Sequence, residues 1–253
     1  MNTTHRSGTL AAAARTPATT IDDAAALISL HDVSKTYTSG EVSFTALDGV
    51  DLTVRSGEFV AVVGPSGSGK STLLNLIAAI DRPTGGRVVV GDVEVSDLDE
   101  DGAARWRGRN LGVIFQFFQL LPTLSLADNV MLPMDFGGVH PRRRRPTVAR
   151  DLLARVGLAD HADKLPSQVS GGQQQRAAIA RALANDPPII VGDEPTGNLD
   201  SASAASMMAL FDTLVASGRT VVLVTHDREL AERTGRSVLV QDGVLADVGG
   251  PVR

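Results

Sequence analysis

The stretch that most limits what this chain can become is EFVAVVGPSGSGKSTLLNLIAAI, residues 58–80. A β-branched and aromatic run, a glycine-rich turn and an apolar helical pattern follow in that order. A buried strand must therefore hand over to a helix through a loop almost free of bulky side chains. Gly64, Gly69, Lys70 and Ser71 fit G-x-x-x-x-G-K-[ST]. In such a loop, Gly64, Pro65, Ser66, Gly67, Ser68 and Gly69 let backbone N–H groups wrap phosphate oxygens, and the helix that opens at Lys70, Ser71 and Thr72 adds its positive dipole end. Lys70 is placed to reach β- and γ-phosphates, and the Ser71 hydroxyl to ligate Mg²⁺. The chain's only lysines are Lys35, Lys70 and Lys164, against an abundance of arginine. One of them stands here because a compact ammonium fits a backbone cradle and a planar guanidinium does not. The sequence thus predicts a nucleoside triphosphate, ATP with Mg²⁺, on a strand–loop–helix unit.

Further strand and helix patterns surround this unit. LISLHDVSKTY, LDGVDLTV and RVVVGDVEV read as strands, the last as a short hairpin closed at Gly91-Asp92, and the helix after the loop is expected to run from Lys70 to about Ile80. From Asp97 to Ala184 the pattern is largely helical, broken by Pro122, Pro133, Gly137, Gly138 and Pro166. PIIVGDE and TVVLVTHD are continuous apolar runs of the kind buried in a parallel sheet. Between them a helix capped by Asp200 carries Met207, Met208, Leu210, Phe211 and Leu214 at core spacing, and SVLVQDGVLADVG predicts a hairpin turning at Asp242-Gly243. The expected architecture is an α/β core interrupted by a helical insertion.

Composition closes off several classes. The 253 residues are 43% hydrophobic with a formal charge of −5, which suits a domain with a sizeable core and argues against nucleic acid as a partner. The absence of cysteine removes disulfides and thiolate zinc sites. No apolar run is longer than a strand, so any work at a membrane is expected to go through docking from the cytoplasm. Residues 1–26 read as a disordered small-residue tail, and the basic run Arg142–Arg145 as a solvated loop.

The second half of the site is legible in VGDEPTGNLD. A strand ends at Asp193, whose carboxylate suits a Mg²⁺ shell, and Glu194 follows where it can polarise an attacking water. His226 ends the next strand and is expected beside Asp193, within reach of the γ-phosphate; Gln116, where core gives way to insertion, offers an amide oxygen to metal or water. One motif does not fit a single site. In VSGGQ, Ser170 and Gln173 make a capping box with Gly171 and Gly172 easing the helix entry, which by itself is an ordinary helix start.

Taken together, GPSGSGKST, Gln116, VSGGQ, VGDEPT, NLD and His226 resemble, in order and spacing, the nucleotide-binding subunit of an ABC transporter, from Leu27 to about Val248. The resemblance implies a P-loop NTPase (RecA-like) core over 27–116 and 187–253, an N-terminal antiparallel β subdomain, and an inserted helical subdomain over 117–186. It implies that Ser170, Gly171, Gly172 and Gln173 close over the ATP of a second subunit in a head-to-tail homodimer. Tyr37 is expected to stack on adenine, Gln116 to couple the site to membrane subunits, Asp200 to cross the dimer interface, and Lys70, Glu194 and His226 to serve hydrolysis. Val169 stands where the family has leucine and Gly192 where it has a bulkier residue. QFFQLLPTLSLADNVMLP and DEPTGNLD resemble the branch that serves macrolide, lipoprotein and antimicrobial-peptide exporters. Such a motor would sit peripherally on the inner face of the membrane, on separate integral permease subunits. The exposed groove for a permease helix is expected at Phe118, Leu120 or Leu121, with Phe115 filling the junction. The alternatives are an ABC ATPase without a membrane partner, an amino-acid importer subunit, and a small P-loop kinase.

Overall fold

The computed structural model describes residues 26–197 and 199–247. Of the tail expected over 1–26, only Ala26 is among them, and it already pairs with Arg55 as the first residue of β1. β1 (Ala26–Ser39) and β2 (Val42–Arg55) form a long antiparallel hairpin, and β4 (Gly85–Val90) and β5 (Val93–Glu94) complete a four-stranded sheet in the order β2-β1-β4-β5. Register shifts interrupt the β1–β2 pairing at Leu30/Val33 and again around Lys35. Such bulges twist the strand and re-aim its side chains.

The second sheet has the order β10-β9-β3-β8-β7-β6. β3 (Phe59–Val63), β6 (Leu111–Ile114), β7 (Ile189–Asp193), β8 (Thr220–Thr225) and β9 (Arg236–Gln241) run parallel; β10 (Val244–Asp247) is antiparallel at the edge. Continuous apolar runs are required because both faces are covered. Val60, Val62, Val191, Val222 and Val224 point into one core with α1 (Lys70–Ile77) and the small sheet. Their alternates Phe59, Ile190, Val221 and Leu223 point into another with Met207, Met208, Phe211 and Leu214 of α6 (Ser201–Ala216). Phe59 meets Phe211 edge-on, ring centroids 6.2 Å apart. This order places β3 between β9 and β8, with β7 next, so the carboxyl ends of β3, β8 and β7 stand side by side.

The helices differ in detail from expectation. Within the region read as largely helical lies β6, whose Gly112 Cα face leaves no room for a side chain against the Ala182 carbonyl. The first helix also stops at Ile77: Ala79 takes a positive φ of 50°, and the N–H groups of Ile80 and Asp81 turn back to the Asn75 carbonyl. α2 (Glu100–Asn110) packs on α3 (Leu126–Gly137), while α3, α4 (Arg145–Arg155) and α5 (Gly171–Ala182) enclose a separate core around Leu126, Val130, Met134, Leu153 and Leu158. α5 is shared: Ala177 and Ala180 face that core, Ile179 and Ala182 the sheet. The arginine run is not a loop. Arg142–Arg144 form one 3₁₀ turn, exposed, and Arg145 begins α4 half-buried, paired with Asp135 and donating to the His140 carbonyl.

Candidate active site

The loop between β3 and α1 has the backbone that its glycines predict. Gly64, Gly67 and Gly69 have φ of 153°, 78° and 106°. A Cβ on Gly69 would run into the Ala46 carbonyl oxygen, and one on Gly64 into that of Val240. The cradle is therefore wedged against β2 and β9. The Lys70 ammonium folds back over the loop, donating to the carbonyls of Gly64 (2.9 Å) and Pro65 (2.8 Å). The Ser68 hydroxyl is buried in the same loop without a protein partner, as suits a group that a phosphate oxygen satisfies.

β7 delivers Asp193 and Glu194 to the neighbouring edge. Asp193 is hydrogen-bonded by the Ser71 side chain; burial pushes its pKa up, Glu194 adds to this, and Ser71 and Lys70 oppose it. A carboxylate whose charge is disfavoured in this way gains from a cation. Ser71, Asp193 and Gln116 together offer hydroxyl, carboxylate and amide oxygens, the hard donors that Mg²⁺ prefers. Among the described residues no three His, Cys, Asp or Glu side chains gather as a metal cage.

Glu194 is held in an uncommon backbone state, φ 46°, and is tied to β8 on both sides. Its N–H donates to the Val224 carbonyl, and its carboxylate accepts the His226 N–H at 3.0 Å and lies 2.6 Å from His226 Nδ1. Its side chain is 12% exposed, whereas the His226 ring is 71% exposed and faces outward over it. Strain of this kind persists only where surrounding bonds over-determine it. Gln116 follows β6, half-buried, and its Nε2 approaches the turn after Glu194, 3.8 Å from where a Cβ on Gly197 would sit.

Tyr37, near the end of β1, is 42% exposed and hydrogen-bonded to Asp81, with Thr72 of α1 also in reach of its hydroxyl. Tyr37, Thr72, Lys70, Ser71, Asp193, Glu194, His226 and Gln116 thus surround one carboxyl edge of the sheet. Ser170–Gln173 belong elsewhere. Ser170 accepts from the Gln173 N–H while Gln173 Oε1 accepts from the Ser170 N–H, the capping box expected. Gly171 lies against Phe118, Gly172 against Ser203, and Gln173 is tied to His161. Among the described residues no hydrogen bond joins this helix start to the phosphate loop. Asp200 caps α6 through the Ser203 N–H (2.9 Å); this backbone bond, with that from the Ser203 hydroxyl, lowers its pKa.

Sequence reasoning missed three partners: Lys35 and Asp81 beside Tyr37, and Gln175, whose Nε2 links α5 to the Pro195 carbonyl (2.8 Å). The rarity of lysine was a signal for the first; nothing local marked the others. The segment expected to line a groove lies outside the main cavity. An apolar cavity of about 590 Å³ lies between α2, β6 and α3, lined by Ile80, Phe115, Leu132, Pro133 and Phe136. Phe115, half-buried just after β6 at the junction of core and insertion, lines this cavity. Phe118 is half-buried against α5 and Leu120 packs in the helical core, so neither lines it; Leu121 and, at 69%, Phe117 are exposed outside it.

A phosphate cradle at a helix start, beside an acidic strand end and at the carboxyl edge of a parallel sheet, defines a P-loop nucleoside triphosphatase. Comparison with known proteins narrows this. Residues 47–197 match the family model described as ABC transporter. The chain belongs to the ABC transporter family, as an ATP-hydrolysing cassette. It is 48% identical over 224 residues to the macrolide export ATP-binding/permease protein MacB of Hyphomonas neptunium, covering 88% of this chain and 35% of that protein. It therefore spans about a third of the length of such relatives. To the ABC transporter ATP-binding protein YknY of Bacillus subtilis it is 45% identical over 217 residues, 86% of this chain and 94% of the other. Its structure is similar to the ATP-binding cassette MJ0796, solved as a dimer in a post-hydrolysis state with ADP and Pi: TM-score 0.82, 43% identity, 88% and 99% coverage.

Proposed function

We propose that this cassette binds ATP with Mg²⁺ between two copies of itself, arranged head to tail, and drives integral membrane permease subunits of the macrolide, lipoprotein or peptide exporter type from the cytoplasmic face. The observation that carries this reading is the outward-facing helix start at Ser170–Gln173, a second anion-binding terminus hydrogen-bonded only within its own neighbourhood. A head-to-tail partner gives that terminus a phosphate to bind. Likeness to the dimeric cassette MJ0796 supports the dimer, and likeness to MacB supports the exporter branch. No helix among the described residues is long and apolar enough to cross a membrane, so movement has to be passed to another element.

Within one site the roles divide by geometry. Lys70 and the 64–69 backbone hold the phosphates, and Tyr37 takes the base. Ser71, Asp193 and Gln116 would hold Mg²⁺, which when bound offsets charge on the phosphates. Glu194 orients and deprotonates water, its carboxylate aimed by the His226 and Thr225 donors. His226, exposed above it, is free to meet the γ-phosphate. Asp200, which caps α6 through Ser203, itself beside Gly172, faces the partner.

Glu194→Gln tests the reading. It keeps the backbone anchor but removes the base, so turnover should fall by roughly 10²–10⁴-fold with ATP binding retained. The variant should also elute as a dimer in Mg-ATP on size-exclusion chromatography. Unchanged turnover would sink the assignment of Glu194.

A further inference from the structure

Two of the chain's three lysines serve the edge just described, and the second has no place in the chemistry so far. Lys35 is only 9% exposed, on β1 two residues before Tyr37. Its ammonium donates to Asp81 Oδ1 (2.6 Å) and the Arg82 carbonyl (2.7 Å), and lies over the Tyr37 ring, 4.9 Å from the centroid. Asp81 receives three donors: Lys35, the Tyr37 hydroxyl (2.8 Å) and the Arg82 N–H (2.7 Å). It is itself fixed by the turn that ends α1, where the Asp81 N–H returns to the Asn75 carbonyl.

We propose that Lys35 and Asp81 are positioning residues for the nucleotide base, holding Tyr37 by its hydroxyl and one ring face so that the other face stands ready to stack. This rests on the reading of Tyr37 as the base platform. A tyrosine so exposed loses side-chain entropy when it stacks, and a ring already pinned has less to lose. The lysine also explains itself here: a nearly buried ammonium is costly unless its hydrogen bonds are filled, and both of its protein acceptors come from the turn that carries Asp81. Partial burial opposes ionisation of Asp81, yet the bonds from Lys35, Tyr37 and Arg82 outweigh it and its pKa is lowered; burial, with Asp81, raises that of Tyr37, so the phenol stays a donor. Through Asp81 and Thr72, both reached by the Tyr37 hydroxyl, the base platform is tied to the helix that begins with Lys70 and Ser71.

The clamp and a plain structural strut differ in what they do to ligands without a base. In the full chain, Lys35→Met and Asp81→Asn should each weaken ATP about three- to tenfold, raising KM rather than lowering kcat, and leave the affinity for inorganic tripolyphosphate within about twofold. Adding Lys35→Met to Tyr37→Ala should cost nothing more. Tyr37 is the only tyrosine, so ¹³C-tyrosine labelling gives a single ring signal set, which should broaden or shift in Lys35→Met and respond to ATP. Equal weakening of ATP and tripolyphosphate, tighter ATP binding, or a full effect in the Tyr37→Ala background would overturn the clamp while leaving the platform intact. If Tyr37→Ala itself leaves the ratio of ATP to tripolyphosphate affinity unchanged, the platform reading fails and the clamp with it. Asp81→Asn, which keeps an acceptor for the phenol, decides the matter should Lys35→Met not fold.

Discussion

Three glycines in the phosphate loop look alike in the sequence and are not alike in space. At Gly67 an added Cβ would meet nothing, so only its φ of 78° resists a side chain. At Gly69 the φ is 106° and the Cβ would strike the Ala46 backbone, which a strand of the small sheet cannot move. Gly67→Ala should cost about 1 kcal/mol and keep ATP binding, whereas Gly69→Ala should cost about 2 kcal/mol or more and abolish it. Thermal melts with ATP titrations check both; equal behaviour would mean that the loop is not wedged against β2. The same contrast separates Glu194 from Asp193. Adjacent carboxylates in the sequence, one is bonded to His226 and β8, the other to Ser71.

Among the elements, α5 links most of the working parts. Its start is the capping box at Ser170, Gln175 holds the Pro195 carbonyl after Glu194, and Arg181 near its end donates to the carbonyls of Phe118 (2.8 Å) and Gln119. Those last two residues have positive φ, 35° and 51°, in the segment that leads from Gln116. One helix thus joins the capping box at its own start, the turn after Glu194 and the rim of the cavity. On the proposed reading, that cavity is the groove for a permease helix: its lining is mainly apolar, and Phe136 at its lip on α3 is 77% exposed. Phe136→Asp should leave the melting temperature within a few degrees, since little is buried, and abolish co-purification of the permease with the tagged chain from solubilised membranes. Undiminished co-purification would place docking elsewhere.

At the scale of the whole chain, the proposed dimer has each copy contribute to two sites. A mixture of Lys70→Ala and Ser170→Arg chains forms heterodimers in which one composite site bears both lesions and the other neither. Such a mixture should regain ATPase activity that neither variant has alone; with heterodimers verified by crosslinking, no regain would rule out an independently active site built across two chains. Much of this was legible beforehand. The phosphate loop, the capping box at Ser170, the cap at Asp200, the Asp242-Gly243 turn and the buried strands depend on chemistry within a few residues of chain, and each appears as read. Even the β7–β8 neighbourhood of Asp193 and His226 followed from parallel-strand logic. What the sequence alone could not decide was which distant groups meet. Lys35 finds Asp81 across 46 residues, Arg181 finds Phe118 across 63, and Phe115 lines a cavity formed by α2 and α3. Periodicity tells a residue which face it belongs to, but the order of strands and the angle of a helix across them choose the neighbour on that face. Local pattern determined the parts of a nucleotide site; tertiary packing decided that one tyrosine is held, one glutamate is aimed, and one helix start stands apart from the phosphate loop of its own chain.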